Sequence, residues 1–204
     1  MELTLSRRER HKEATRLALQ EAALSLIEER GLAAVTVEAI TERADVALRT
    51  FSNYFACKED AVLGLEPATA GSLAASLAAR PADEDPLASL RAVLVGHMVG
   101  HLEPVEATLR RIRVVNAEPE LKGRLAGRFD QLTAGLVRVV AQRMGVDPDR
   151  DLYPTVLVSA CANAARSALL WWSAQEPRAE LEPILARAFD HLAAGLASPL
   201  GSSV

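Results

Sequence analysis

The 204-residue sequence predicts an all-α fold of about nine helices. Three observations carry that prediction. Aromatic residues make up only 4% of the chain while alanine and leucine abound, a composition that favours helix over sheet. Apolar residues recur at helical spacing, and no segment shows the period-two alternation of a half-buried strand. Proline and glycine then punctuate the chain at helix-length intervals.

Residues 1–8 read as a loose arm. The first helix is expected from about Arg8 to Arg30, where Leu19, Ala22, Ala23, Leu26 and Ile27 form one apolar stripe and Gly31 supplies a C-terminal cap. Thr36 is a good N-cap for the second, with Glu38 in the first turn, where the helix dipole favours an acid. Val37, Ile40, Ala44 and Val46 place its apolar face, and Asp45-Val46 is the turn. Phe51 and Phe55 repeat at i, i+4 on the third helix, so two short apolar faces meet in one small core. Cys57 stands at the N-cap of a fourth helix opened by Lys58-Glu59-Asp60, interrupted or bent by Pro67 and continuing to Arg80. Pro81 to Pro86 is a polar linker. Further helices are expected at about Pro86–Leu102, Val105–Asn116, Glu120–Met144 (closed by Gly145), Arg150–Gln175 and Arg178–Leu196, ahead of a frayed tail.

A chain that is 50% apolar and 25% charged at this length makes one large or two small domains with a sizeable core. Cys57 and Cys161 form neither a metal-ligand motif nor a disulfide framework, so a reducing cytoplasm is the expected setting. No uncharged apolar run is long enough to span a membrane, and the first residues lack an apolar signal core. No Ser/His/Asp set, Gly-rich phosphate loop or apolar-set carboxylate pair points to an enzyme, and nothing calls for a cofactor. His97 and His101, spaced i, i+4, are a workable pair of metal ligands but lack an evident third, so a packed or pocket-lining pair is the expectation.

The third helix carries the functional signal. Leu48, Arg49, Thr50, Ser52, Asn53 and Tyr54 face away from the Phe51/Phe55 core. Together they offer a cation, several hydrogen-bonding tips and a phenol, the groups a helix needs to read base edges and hold phosphates in a DNA major groove. Thr36, Val37, Ile40, Ala44, Val46, Thr50, Tyr54, Phe55, Lys58 and Glu59 stand where the DNA-binding segment of the TetR family of bacterial repressors has these residue types, and residues from about 8 to 62 resemble it. Asp45, Ala47 and Ser52 depart from the family's turn glycine, serine cap and common aromatic. Without the serine cap, the recognition helix loses about 1 kcal/mol of local stability. The resemblance implies a helix-turn-helix domain over residues 1–62 and a ligand-binding and dimerisation domain over 63–204. With the outward polarity, it assigns base contacts to Arg49, with Leu48, Thr50 and Asn53, and phosphate contacts to Thr36, Tyr54 and Lys58.

Charge weighs against this reading. The net charge is -4, and residues 1–64 hold nine Lys/Arg against eleven Asp/Glu. DNA binding then requires the cations Arg7, Arg8, Arg10, Lys12, Arg49 and Lys58 to be clustered and the acids to face elsewhere.

In the second half, Leu181, Ile184, Leu185, Ala188, Leu192 and Leu196 form one stripe, and the small-residue run SACANAARSA lets a helix approach closely, so the last two helices are the expected homodimer surface. Arg166, with Asn163 and Ser159 before it, reads as a polar pocket wall, or else as an exposed edge or a salt bridge to an acid on a neighbouring helix. Trp171 lines a pocket or packs in a core or interface. Phe129 is at core spacing, where a helical sensor also faces its ligand. Arg110, Arg111 and Arg113 cradle an anionic headgroup or form a salt-bridged face. The stretch Leu109–Leu121 and the later ARSALLWW resemble regulators with a C-terminal domain named for the mycofactocin regulator and associated with acyl-CoA-like ligands. That resemblance implies a long apolar cavity with Arg110, Arg113 and Arg166 at its mouth. The leading expectation is a homodimeric regulator that binds a pseudo-palindromic operator in double-stranded DNA and leaves it when a small apolar or acyl-type effector binds. The alternative is a helical protein-binding adaptor that has lost DNA binding.

Overall fold

The computed structural model describes residues 6–64, 69–100, 104–175 and 180–196. Ten α-helices and one 3-10 turn are present among them, with no strand. The helices are α1 (Arg7–Arg30), α2 (Val37–Arg43), α3 (Leu48–Phe51), α4 (Lys58–Leu63), α5 (Thr69–Ala78), α6 (Pro86–Gly100), α7 (Val105–Ala117), α8 (Pro119–Met144), α9 (Tyr153–Ser173) and α10 (Leu181–Ala193). The chain is thus all-α as expected, with one helix more than the sequence implied. The expected fourth helix is two: α4 ends where Gly64 takes a left-handed φ of +67°, and α5 begins at Thr69. Pro67 and His101 lie outside the described residues.

Local signals act as read. Thr36 Oγ1 accepts the Ala39 N–H at 3.2 Å, and the Cys57 thiol accepts the Asp60 N–H at 3.4 Å, capping α2 and α4. Ala47 caps α3 with its backbone alone. Gly31 and Gly145, at φ +77° and +69°, close α1 and α8.

The chain forms two compact units that do not follow chain order: residues 1–69 with 103–128, and residues 70–102 with 129–204. Residue 62, the expected boundary, lies within α4. In the first unit, Leu19, Ala23, Leu26 and Ile27 of α1 meet Ile40, Phe51, Phe55, Ala61 and Val62, and Val114, Val115 and Leu121 complete the core. In the second, α9 packs chiefly on α10, and both pack on α6. Val158, Cys161, Ala165 and Trp172 are buried there, as are Leu185, Phe189 and Leu90. The Pro81–Pro86 linker lies inside this unit, where Arg143 donates to the carbonyls of Leu77, Arg80 and Pro81 and to Ser89 Oγ.

Candidate nucleic-acid interface

The recognition surface is built on two phenylalanines. Phe51 and Phe55 are 2% and 1% exposed, with ring centroids 5.8 Å apart. Burying them turns Leu48, Arg49, Ser52 and Asn53 outward, and all four are exposed. Thr50 and Tyr54 are half-buried at the edge of this face. The Tyr54 ring leans on Phe55, with centroids 6.5 Å apart. The preceding turn is tight: the Val46 N–H reaches Thr41 O at 3.0 Å, and Asp45 adopts φ +53°. Asp is among the few non-glycine residues that tolerate this conformation.

The expected phosphate contacts have a second job in the fold. Thr36 is exposed, and its oxygen caps α2 while its hydroxyl hydrogen remains for another acceptor. Lys58 Nζ donates to Leu32 O and Val35 O, each at 2.8 Å, tying the start of α4 to the segment before α2. An ammonium has three donors, so one is left for a phosphate. The lysine's structural role was not legible in sequence, because a long-range bond to a carbonyl leaves no periodic trace.

Several acids in this unit are paired with arginines. Arg43 forms a bidentate pair with Glu29, at 2.9 and 3.0 Å. Arg110 bonds Glu28, Glu21 and Ser25. Burial alone would raise the Glu21 carboxyl, but bonds from Arg110 and Ser25 outweigh it and hold the group below its ordinary range. Asp60, 3% exposed at its side chain, receives Arg124 Nε at 2.8 Å and Nη2 at 3.1 Å. That pairing raises the Arg124 guanidinium further above its ordinary value. The Cys57 thiol is pushed up to about 11 by burial and by its bond with Glu59.

The residues expected around a ligand divide between the two units, Arg110 and Arg113 in the first and His97, Phe129, Asn163, Arg166 and Trp171 in the second. Arg110 has spent its guanidinium on two acids, so the salt-bridged alternative describes it, and the exposed Arg113 belongs to the same first unit. Arg166 is exposed on α9, matching the alternative of an outer edge. Phe129 and His97 are half-buried in the second unit. Among the described residues of the expected set, Asn163 and Trp171 line one concavity, an open groove of about 550 Å³ between α9 and α10 with Ala160, Ala164, Ala188 and Leu192. Asn163 bonds back to Ser159 O at 2.9 Å, and Trp171, half exposed, carries the Arg187 guanidinium 5.4 Å above its ring. This groove lies on the stripe expected to dimerise. Among the described residues, no group of three or more His, Cys, Asp or Glu side chains could hold a metal. No described helix is long and apolar enough to cross a membrane.

The pattern described as "Bacterial regulatory proteins, tetR family" matches residues 19–63, and the "MftR C-terminal domain" matches residues 84–197. The second match alone spans more than half of the chain. The chain belongs to the TetR family of transcriptional regulators. A curated TetR-type relative, the HTH-type transcriptional regulator TcmR of Streptomyces glaucescens, is 34% identical over 171 residues, covering 81% of this chain and 76% of that protein. The TetR fold recurs in a regulator from Syntrophomonas wolfei, with TM-score 0.60 and 18% identity over 92% of this chain and 99% of the other. It recurs again in SmeT of Stenotrophomonas maltophilia, solved as a triclosan complex, with TM-score 0.58 and 18% identity over 89% of this chain and 91% of the other. As a TetR-family member, the chain is a DNA-binding transcriptional regulator with a helix-turn-helix in its N-terminal part and a helical C-terminal part.

Proposed function

We propose that this regulator is a homodimeric repressor that holds a pseudo-palindromic operator through α3 and releases it when a small apolar or acyl-type molecule occupies the C-terminal domain of residues 63–204. The observation that carries the DNA half is the outer face of α3 and the turn after it, where Leu48, Arg49 and Asn53 are exposed while Phe51 and Phe55 are buried. Arg49 is assigned a base contact, aided by Leu48, Thr50 and Asn53. Thr36, Tyr54 and the remaining donor of Lys58 are assigned to phosphates within the domain of residues 1–62. The open α9/α10 groove supports a second copy as its occupant, because a surface of alanines beside a half-exposed tryptophan suits close helix packing. Two copies place two recognition helices on half-sites about 34 Å apart.

The acyl-type effector rests on the MftR-type pattern over residues 84–197. SmeT, a neighbour in fold, is described as a triclosan complex, which makes a small apolar molecule the broader class. His97 and Phe129 are the assigned contacts in the second unit. The effector must bind the DNA-incompetent form of the dimer more tightly than the competent form, since only differential affinity shifts the equilibrium.

The test is fluorescence anisotropy on labelled DNA from upstream of the protein's own gene, at two salt concentrations, with and without acyl-CoA thioesters. The expected result is salt-sensitive binding, released by one thioester. Replacing Arg49 with Ala should cost about 1–3 kcal/mol and relax sequence preference. Unchanged affinity and preference would remove Arg49 from the interface. Binding without release by any thioester would refute the acyl assignment. A failure to select any duplex from a random pool would point to the adaptor instead.

A further inference from the structure

Helix α8 belongs to both compact units: its residues 119–128 lie in the first and 129–144 in the second. Each end is anchored. Towards its start, Leu121 is buried in the first core, Leu125 packs against that core, and the Arg124 guanidinium holds the carboxylate of buried Asp60. Towards its end, Leu136, Val140 and Ala141 are buried, and Arg143 donates to Leu77 O, Arg80 O and Ser89 Oγ.

Between these anchors the helix has little support. No side chain from 126 to 135 is buried, a stretch of about three turns. Gly127 and Gly135 stand near its two ends. Glycine weakens a helix interior about fivefold relative to alanine, because its backbone has more freedom to lose. Neither glycine is there for want of space: among the described residues, a Cβ at either place would meet no neighbouring group within 4 Å. Neither has the positive φ that calls for glycine. Thr133 Oγ1 also donates back to Phe129 O and Asp130 O, each at 3.0 Å. Such a bond competes with the backbone ladder and tends to bend a helix. Missing burial, two unforced glycines and a back-bonded threonine thus coincide in the stretch that contains the unit boundary.

We propose that residues 126–135 of α8 are a hinge, and that α8 is the element through which a change in the second unit reaches the DNA-binding unit. This rests on the effector-release reading above and deepens it, because Phe129, an assigned effector contact, stands within the hinge. An effector packed on Phe129 adds apolar burial where the helix has least of it, and so selects one curvature of α8. Arg124, five residues back and about 7.5 Å along the axis, carries that change to Asp60 in the first turn of α4.

The test uses the full-length protein and a duplex selected by the wild type from a random pool. Hydrogen exchange is read amide by amide for the wild type, for Gly127→Ala/Gly135→Ala, and for Gly123→Ala, an equally open glycine of α8 outside the stretch. Wild-type amides within 126–135 should exchange at least about tenfold faster than those of both 123–125 and 136–142. Simple fraying would instead give a steady gradient from the helix start, and that result overturns the hinge. The paired variant should slow exchange in the stretch by about 25-fold, about fivefold for each glycine. Its affinity for the selected duplex should shift by at least about threefold, although neither glycine lies on the DNA-binding face. Gly123→Ala should keep the wild-type affinity. A paired variant with unchanged affinity overturns the coupling and leaves DNA recognition by α3 intact, as does a control that shifts affinity equally. A wild type that selects no duplex overturns the DNA-binding reading and the coupling with it.

Discussion

Asp45 sits at φ +53° in the turn before α3, a conformation that costs an L-residue free energy and that glycine adopts without penalty. Asp45→Gly should therefore raise stability by about 0.5–1 kcal/mol, the relief of strain being partly offset by the greater freedom of glycine in the unfolded chain. A urea transition moved to higher concentration at unchanged slope would show it. Gln20 presents a different cost. It is 2% exposed, and among the described residues neither its amide nitrogen nor its amide oxygen has a hydrogen-bond partner. A buried amide left unpaired costs roughly 1–3 kcal/mol, so Gln20→Met, similar in length and without the polar group, should raise stability by about 1–2 kcal/mol in the same assay. Gly64 next to it admits no such change. A Cβ there would lie 2.9 Å from Arg111 Nη1 and 3.3 Å from Gln20 Nε2, on a backbone already at φ +67°.

At the scale of the elements, caps were legible in sequence and long-range polar bonds were not. Thr36, Gly31, Cys57 and Gly145 act on neighbours within a few residues, and each does what its place in the chain implies. Gly64 was missed as a helix end because Pro67, three residues on, drew the break to itself. Arg110, Arg124, Arg143 and Lys58 find partners far away in sequence, and no periodicity encodes that. The same limit applies to the expected ligand set, since helical spacing gives the face of one helix but not the partner it meets. The α5–α6 connection illustrates the point. Bonds from Arg80 and Ser89 outweigh burial and hold the Glu84 carboxyl down to about 2, from an ordinary 4.5. A depressed carboxylate stabilises the fold fully above its unfolded value and loses that contribution as pH falls through the folded one. Glu84→Gln should therefore lower the melting temperature at neutral pH, and the gap from wild type should close between about pH 4.5 and pH 2. A gap of constant size across that range would refute the role.

For the whole molecule, the proposed pairing of two copies on one operator sets what the α9/α10 groove must tolerate. Ala164, half-buried in the α9/α10 groove, tolerates no charge if a second copy packs there. Ala164→Glu should yield a monomer in sedimentation at micromolar concentration with its helix content retained. Its operator affinity should fall at least about a hundredfold, since each recognition helix then binds without the effective concentration its twin supplies. A dimer that survives this substitution would place the two-fold surface elsewhere.

The two thiols carry a consequence for reactivity. Burial pushes Cys161 up to about 12, helped by the negative charge of Asp85, while Cys57 stands at about 11. At pH 7 the reactive anion of Cys57 is on the order of one part in ten thousand. The thiol form therefore dominates at the start of α4, where the sulfur caps the helix. A cysteine in the capping place is thus held in its less reactive thiol form.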